Sequence, residues 1–273
     1  MPEFGLVHYN YLGTFEEFLN FAANSGFRCT ELLGRDIWNL KDGEAFADAV
    51  KRATQIRDQL KSRGMRASAV APGNDFLVVG EEAMAAQIER MKQFVELAGI
   101  IGTDILRIDG GWAKPEVPED RQLYIDLISE GISRCCPFVG AAGMRMALDN
   151  HGLVTNDADL QVEIMERVNS PVIGANVDTM NYRWAGHDLD TVRRFYDTIA
   201  PWVIHTHFKD GHGSRADYVG TALGDGEVPL KYAAESFKAA GYKGPWLVEY
   251  EGKGDVDREE GFRRGLQWLQ ANI

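Results

Sequence analysis

Four short segments in the second half of the chain end in side chains that can bind a metal ion or move a proton. They are Ala147-Leu148-Asp149-Asn150-His151-Gly152, Asn176-Val177-Asp178-Thr179-Met180-Asn181, His205-Thr206-His207-Phe208-Lys209-Asp210 and Val248-Glu249-Tyr250-Glu251. The carboxylates Asp149, Asp178 and Glu249 with the imidazole of His207 form an oxygen-rich donor set. Such a set suits one divalent ion, Mn²⁺ first and Mg²⁺, Co²⁺ or Zn²⁺ as alternatives, and differs from a thiolate-rich structural zinc site. Period-two alternation places His205, His207 and Lys209 on one strand face, so one histidine can ligate while the other orients substrate. His207 is the expected ligand because it lies nearer the strand end. A lone Asp or His at a strand end is ordinarily a cap or a loop hydrogen-bonder. Carboxylates crowded at the ends of neighbouring strands repel one another, and a cation relieves that repulsion.

Positioning these groups together requires a particular arrangement of elements. Apolar runs rich in branched residues alternate with helical patterns eight times. Strands are predicted over Phe4 to His8, Phe27 to Leu33, Met65 to Ala71, Asp104 to Asp109, Met144 to Asp149, Val172 to Asp178, Trp202 to Phe208 and Trp246 to Glu251. Helices are predicted over 14–25, 43–63, 80–99, 119–142, 157–168, 188–200, 229–240 and 256–271. Thr14 opens a T-F-E-E capping box, and Gly64, Gly99, Gly143 and Gly241 stand where helices close. Eight strand–helix units predict an α/β fold, a single (β/α)₈ TIM barrel over residues 1–273, whose reactive groups gather at the C-terminal ends of the strands. An open doubly wound sheet would carry a glycine-rich phosphate turn after an early strand, and the sequence has none. The loops after the third, fourth and seventh strands are long enough to cover a site.

Arg107 and Glu31, at the ends of the fourth and second strands, are candidate substrate contacts together with Lys209 and His205. Trp112 is a candidate pocket wall whose apolar ring face excludes water, as is Phe76. The net charge of −12, without a Lys/Arg block, removes the basic footprint that nucleic acid binding needs, although a local basic site can still hold a small phosphate ester. Cys29, Cys135 and Cys136 are an odd number with an adjacent pair, which fits a reducing compartment rather than a disulfide framework. No apolar run reaches the ~18 residues of a membrane span. A soluble cytoplasmic protein acting on a small molecule is expected, with no nucleic acid or membrane partner and with homo-oligomerisation left open.

These segments, with Gly73-Asn74-Asp75-Phe76 and Leu106-Arg107-Ile108-Asp109-Gly110-Gly111-Trp112 ahead of them, resemble the xylose-isomerase-like sugar phosphate isomerase/epimerase superfamily over nearly the whole length. That superfamily includes tagatose-type 3-epimerases, inosose dehydratases and endonuclease IV. The resemblance implies a metal held by Asp149, Asp178, His207 and Glu249. It implies too that the carboxylates corresponding to Asp149 and Glu249 exchange a proton from opposite faces of a ketose, through an enediolate.

Three departures bear on the reaction. The family usually has Glu where Asp149 stands, and the side chain here is shorter by one methylene, about 1.5 Å of reach. That makes Asp149 a better ligand than base. Asn181 and Thr155 replace a His and a Glu of the tagatose-type enzymes. Related metal-dependent lyases acting on 3-keto-glycosides use the His of the His151 motif as base, and an ordinary imidazole pKa of ~6.5 suits that work. The expected function is a metal-dependent sugar or sugar-phosphate isomerase/epimerase, with catalytic Asp149, Glu249 and His151. A lyase or dehydratase on a 3-keto-sugar with His151 as base is the alternative, and a catalytically weakened sugar-binding barrel a further one. The acidic balance and only six histidines argue against a multi-zinc endonuclease.

Overall fold

The computed structural model describes residues 2–252 and 256–273. Eight parallel strands close into a barrel: β1 (Phe4–Val7), β2 (Cys29–Leu33), β3 (Arg66–Ala71), β4 (Ile105–Ile108), β5 (Arg145–Asp149), β6 (Ile173–Asp178), β7 (Val203–Phe208) and β10 (Trp246–Val248). Between β7 and β10 the chain adds an antiparallel pair, β8 (Asp210–His212) and β9 (Val219–Thr221). The helices are α1 (Phe15–Ser25), α2 (Gly34–Ile37), α3 (Phe46–Ser62), α4 (Glu81–Ile101), α5 (Arg121–Ala141), α6 (Ala158–Val168), α7 (Asn181–Trp184), α8 (Leu189–Ile199), α9 (Leu230–Ala239) and α10 (Arg258–Asn272). The eight predicted strands and eight predicted helices are all present. The short helices α2 and α7 and the β8–β9 pair are additions in the loops.

Local chemistry explains most boundaries. The Thr14 side chain accepts from the Glu17 N–H while Glu17 returns the bond to the Thr14 backbone, so both ends of the expected capping box form. Asp120, Asp157, Asp188 and Asp257 cap α5, α6, α8 and α10 in the same acceptor role. The predicted stop at Gly99 is corrected by the structure: α4 runs on to Ile101, which is buried, and the left-handed residue is Gly102 (φ 92°). One further buried apolar position therefore extends the helix until a glycine can reverse it. The eighth barrel strand is shorter than predicted, ending at Val248, yet the Glu249 N–H still donates to the Phe208 carbonyl at 2.9 Å and is anchored to β7.

The main core lies between barrel and helices, where residues such as Phe18, Leu19, Phe94, Ile125, Ile164 and Phe237 cover the outer strand faces. Two small clusters made of strand residues alone, Val7 with Cys29 and Leu247, and Ala69 with Ile105 and Ala147, pack inside the barrel. Towards the C-terminal ends of the strands this apolar packing gives way to Glu31, Arg107, Asp149, Asn176, Asp178, His205 and His207, all within or at the end of strands and nearly all buried. Among the described residues no helix is long and apolar enough to cross a membrane.

Candidate metal centre and substrate cavity

Side chains extend the sheet beyond the strand ends and so fix where the functional groups stand. Asn74 donates to the Asp109 carbonyl (2.7 Å) and accepts from the Asp109 N–H (3.2 Å). Asn150 does the same to Asp178 at 2.9 and 2.7 Å. The Thr179 hydroxyl donates to the Lys209 carbonyl (2.6 Å) and accepts from the Lys209 N–H (2.9 Å). Each pair acts as one more rung of a parallel ladder, so Asp109, Asp178 and Lys209 project from a held backbone rather than from free loops. Gly111 (φ +136°) brings Trp112 back over the mouth, and a Cβ there would lie 2.4 Å from the Asp75 carboxylate. Asp210 serves the loop itself, its carboxylate accepting from the N–H groups of Gly211, Gly224, Gly226 and Val228.

The buried charges form two linked groups. In the first, Arg107 reaches Glu31 (3.1 Å), Asp109 (2.7 Å) and Asp149 (3.2 Å). In the second, Lys209 Nζ reaches Asp178 (2.7 Å), Glu249 (3.3 Å) and Glu251 (3.6 Å). His207 joins them, with Nε2 at 2.7 Å from Glu31 and Nδ1 at 3.2 Å from Glu249. Burial alone would raise the Glu31 carboxyl, but His207 and Arg107 hold it at about 2. Burial disfavours charge on His207, yet Glu31 and Glu249 hold its pKa well above the usual imidazole range. Its neighbour His205 is lowered by burial to about 3 and is neutral, with Nδ1 at 2.9 Å from Asn176 and Nε2 at 3.2 Å from Ser68. Asp178 and Glu249 share one ammonium: burial, resisted by Lys209, pushes Asp178 up to about 7, while at Glu249 burial is outweighed by Lys209 and His207.

Of the four residues expected to bind metal, Asp178, His207 and Glu249 offer donor atoms within 4.8 Å of one another. Asp149 does not join that group. Its carboxylate accepts from Asn176 (2.6 Å) and faces Arg107. The donor set fits a divalent cation on two further observations. Carboxylates outnumber the cations Arg107, Lys209 and His207 around the centre. Glu31 also stands behind His207 at Nε2, the arrangement by which a carboxylate orients a ligating imidazole and leaves its other nitrogen for the metal.

A cavity of about 380 Å³ opens above these groups, and Arg107, Asp109, Trp112, Asp149, His151, Asp178, His207 and Glu249 all line it. Lys209 lines an adjoining cavity of about 350 Å³ that shares Tyr9, Trp112 and His151 with the first. His151 is 41% exposed, with Nδ1 at 3.8 Å from Asp149 and its ring edge-on to Trp112 at 4.8 Å. His205 and Glu31, expected as substrate contacts, are fully buried and line neither cavity. Phe76, expected in the pocket wall, is fully buried in the core. Sequence reasoning passed over Asn176, which ties Asp149 to His205, and Asp109, the partner of Arg107. The second was accessible, since residues two apart on a strand share a face.

Fold and site together define a (β/α)₈ barrel with a buried carboxylate–imidazole centre under an open cavity at the C-terminal mouth. The chain belongs to the xylose isomerase-like TIM barrel family, whose match covers residues 19–272. Among curated proteins none matches by sequence. Solved structures do. One is 3-keto-D-glucoside 4-epimerase, YcjR, from E. coli in its apo form (14% identity, TM-score 0.77, 99% of this chain and 100% of that one). Another is the probable 3-DHS dehydratase AsbF from Bacillus anthracis (18%, 0.69, 98% of each). The IOLI protein with a binding zinc atom is a third (13%, 0.78, 98% of this chain and 97% of that one). At these identities the likeness is one of fold.

Proposed function

We propose that this protein is a divalent-metal-dependent enzyme that transfers a proton at the carbon next to a sugar carbonyl, as an isomerase or epimerase. The observation that carries the reading is the Asp178–His207–Glu249 group, backed by Glu31, beneath a cavity that His151 also lines. The likeness to an epimerase and to a zinc-bound protein of the same fold supports it. Asp178, His207 and Glu249 would hold the ion, with Asp149 the fourth candidate and Mn²⁺ or Zn²⁺ the leading choices. When bound, such an ion polarises a carbonyl and so acidifies the neighbouring C–H.

The chain's own groups then divide the work. Glu249 takes or returns the proton from one side. His151, open to the cavity and facing the Asp149 carboxylate, serves the other. Asp149 has its oxygens engaged by Asn176 and Arg107, which suits holding His151 and closing the metal shell better than abstracting a proton. Arg107 and Lys209 balance charge, Trp112 walls the cavity, and Glu31 and His205 set the orientation of His207 and Asn176 from below. The same His151 favours elimination on a 3-keto-sugar as a second reading, with the fold likeness to a probable dehydratase behind it.

Incubation of metal-replete protein in D₂O with a panel of ketoses, ketose phosphates and 3-keto-glycosides separates the readings by mass spectrometry. Deuterium is expected in recovered sugar or its epimer. A dehydrated, unsaturated product would move the assignment to the lyase, and no exchange with any panel member would remove the isomerase reading.

Metal uptake itself is expected to release a proton, because His207 is held protonated by two carboxylates and must present a free Nδ1 to an ion. Affinity should therefore rise with pH, by about tenfold per unit for one displaced proton. Titration calorimetry in buffers of different ionisation enthalpy measures this release. Affinity independent of pH between 6 and 8 would take His207 out of the ligand set.

A further inference from the structure

We propose that Arg35 and Arg90 form an anion subsite in the cavity over the metal centre, so that the substrate carries a phosphate or a carboxylate at the end remote from its reacting carbon. The inference rests on the sugar-directed reading of the site and names the class of sugar. Both arginines line the cavity that also exposes Asp149, Asp178, His207 and Glu249. Among the described residues neither has a carboxylate partner, whereas the cations beside them are taken. Arg107 is held by three carboxylates, Arg52 pairs with Glu44, and Asp36 pairs with His8 at 2.9 Å.

The geometry around Arg90 is that of a guanidinium held in place rather than left to solvent. Nε donates to the Pro72 carbonyl at 2.8 Å and the group lies over the Phe94 ring at 5.2 Å. Burial, with no anion to offset it, lowers its pKa. The turn at Gly73 (φ +65°) lies against the guanidinium, where a Cβ would stand 3.4 Å from Arg90 Nη2. Arg35 is exposed at the same wall, its guanidinium 6.0 Å from the Tyr9 ring centre. A planar guanidinium fork matches phosphate and carboxylate oxygens, and a half-buried cation without a counter-ion gains most from such a ligand. Arg107, expected as a substrate contact, is the less available anion site, because its Nε and Nη1 already face Glu31, Asp109 and Asp149. The two arginines come from the chain after β2 and from α4 after β3, whereas Asp178, His207 and Glu249 come from β6, β7 and the end of β10, on the other side of the barrel in strand order. At about 380 Å³ the cavity has room for a single sugar with one anionic substituent.

Calorimetry with inorganic phosphate, acetate and D-fructose, on the full chain stripped of metal with EDTA and then dialysed free of the chelator, tests the subsite. Phosphate or acetate is expected to bind the wild type and to bind Arg90→Gln and Arg35→Gln about tenfold more weakly, with D-fructose binding unchanged. Arg35 is exposed, so Arg35→Gln keeps the test valid should the loss of the Pro72 bond unfold Arg90→Gln. Preference for phosphate assigns a sugar phosphate, and preference for acetate a sugar acid. If neither anion binds, or if both variants bind it as tightly as the wild type, the subsite is overturned. Absence of solvent exchange with every sugar would sink the isomerase reading and leave this binding result untouched.

Discussion

Glu249→Gln is expected to slow solvent-deuterium exchange by about 10²- to 10⁴-fold, the loss that follows when one positioned acid–base group is removed. The amide keeps the size of the carboxylate and one oxygen able to ligate, so metal affinity should fall by a much smaller factor. In the wild type, Lys209 and His207 hold the Glu249 carboxyl below its usual range. Glu249 is therefore a weak base in the metal-free centre, and an ion held by Asp178, His207 and Glu249 would supply the C–H acidification that its proton transfer needs. His151→Ala, at a residue that contacts Trp112 and lies open to the cavity, should give a loss of similar size if it serves the opposite side. A Glu249→Gln protein that exchanges within tenfold of wild type is incompatible with a proton-carrying role. Metal affinity and rate falling in parallel would reduce Glu249 to a ligand.

How much of this was legible from the chain depends on whether the information is local. The barrel was, because each strand and helix carries its own period and its own stop signals, and eight repeats of that unit leave few ways to close the sheet. The candidate centre was legible for the same reason. Asp149 and Asp178 end their strands, His207 lies one residue from the end of its own and Glu249 follows directly on another, and strand order then makes them neighbours.

What sequence could not supply is how the side chains divide among partners once they meet. Asp149 and Asp178 look alike at the ends of their strands, yet Arg107 and Asn176 engage the first and Lys209 the second. That choice depends on reach across the barrel, from β4 to β2 and β5 for Arg107. His205 and His207 share a face of β7, and the strand-end rule that favoured His207 agrees with its place at the cavity, but the substrate contact expected of His205 does not, since that residue lies two residues deeper and beneath the cavity. Arg90 sits on a helix, outside any strand-end motif, and enters the cavity only because the loop before α4 folds back on it.

Arg107→Met is expected to be the most destabilising single change in the centre, by about 3–5 kcal/mol, because it leaves buried carboxylates without their counter-ion. For a chain of this size that lowers the melting temperature by on the order of 10 °C. Glu31 is fully buried, and Asp109 and Asp149 nearly so, and all three face the same guanidinium. Methionine matches much of the arginine stem but none of its charge, so the effect reads electrostatics more than packing. Its sign with pH follows from Glu31, whose carboxyl is held at about 2 by His207 and Arg107 against the effect of burial. A depressed folded pKa contributes stability above the unfolded carboxylate value of ~4.3 and loses it as pH falls through the folded one. The gap between variant and wild type should thus be full above about pH 5 and narrow steadily towards pH 2. Removing a second charge, as Asp109→Asn in the Arg107→Met background, should restore part of the loss, since the two changes act on one network and cannot add. Denaturant melts of the wild type, Arg107→Met, Asp109→Asn and the double variant across this pH range measure all of it. A single variant within 1 kcal/mol of wild type at pH 7, or a gap that widens on acidification, would mean that Arg107 is not what allows so many carboxylates to be buried beside the candidate metal centre.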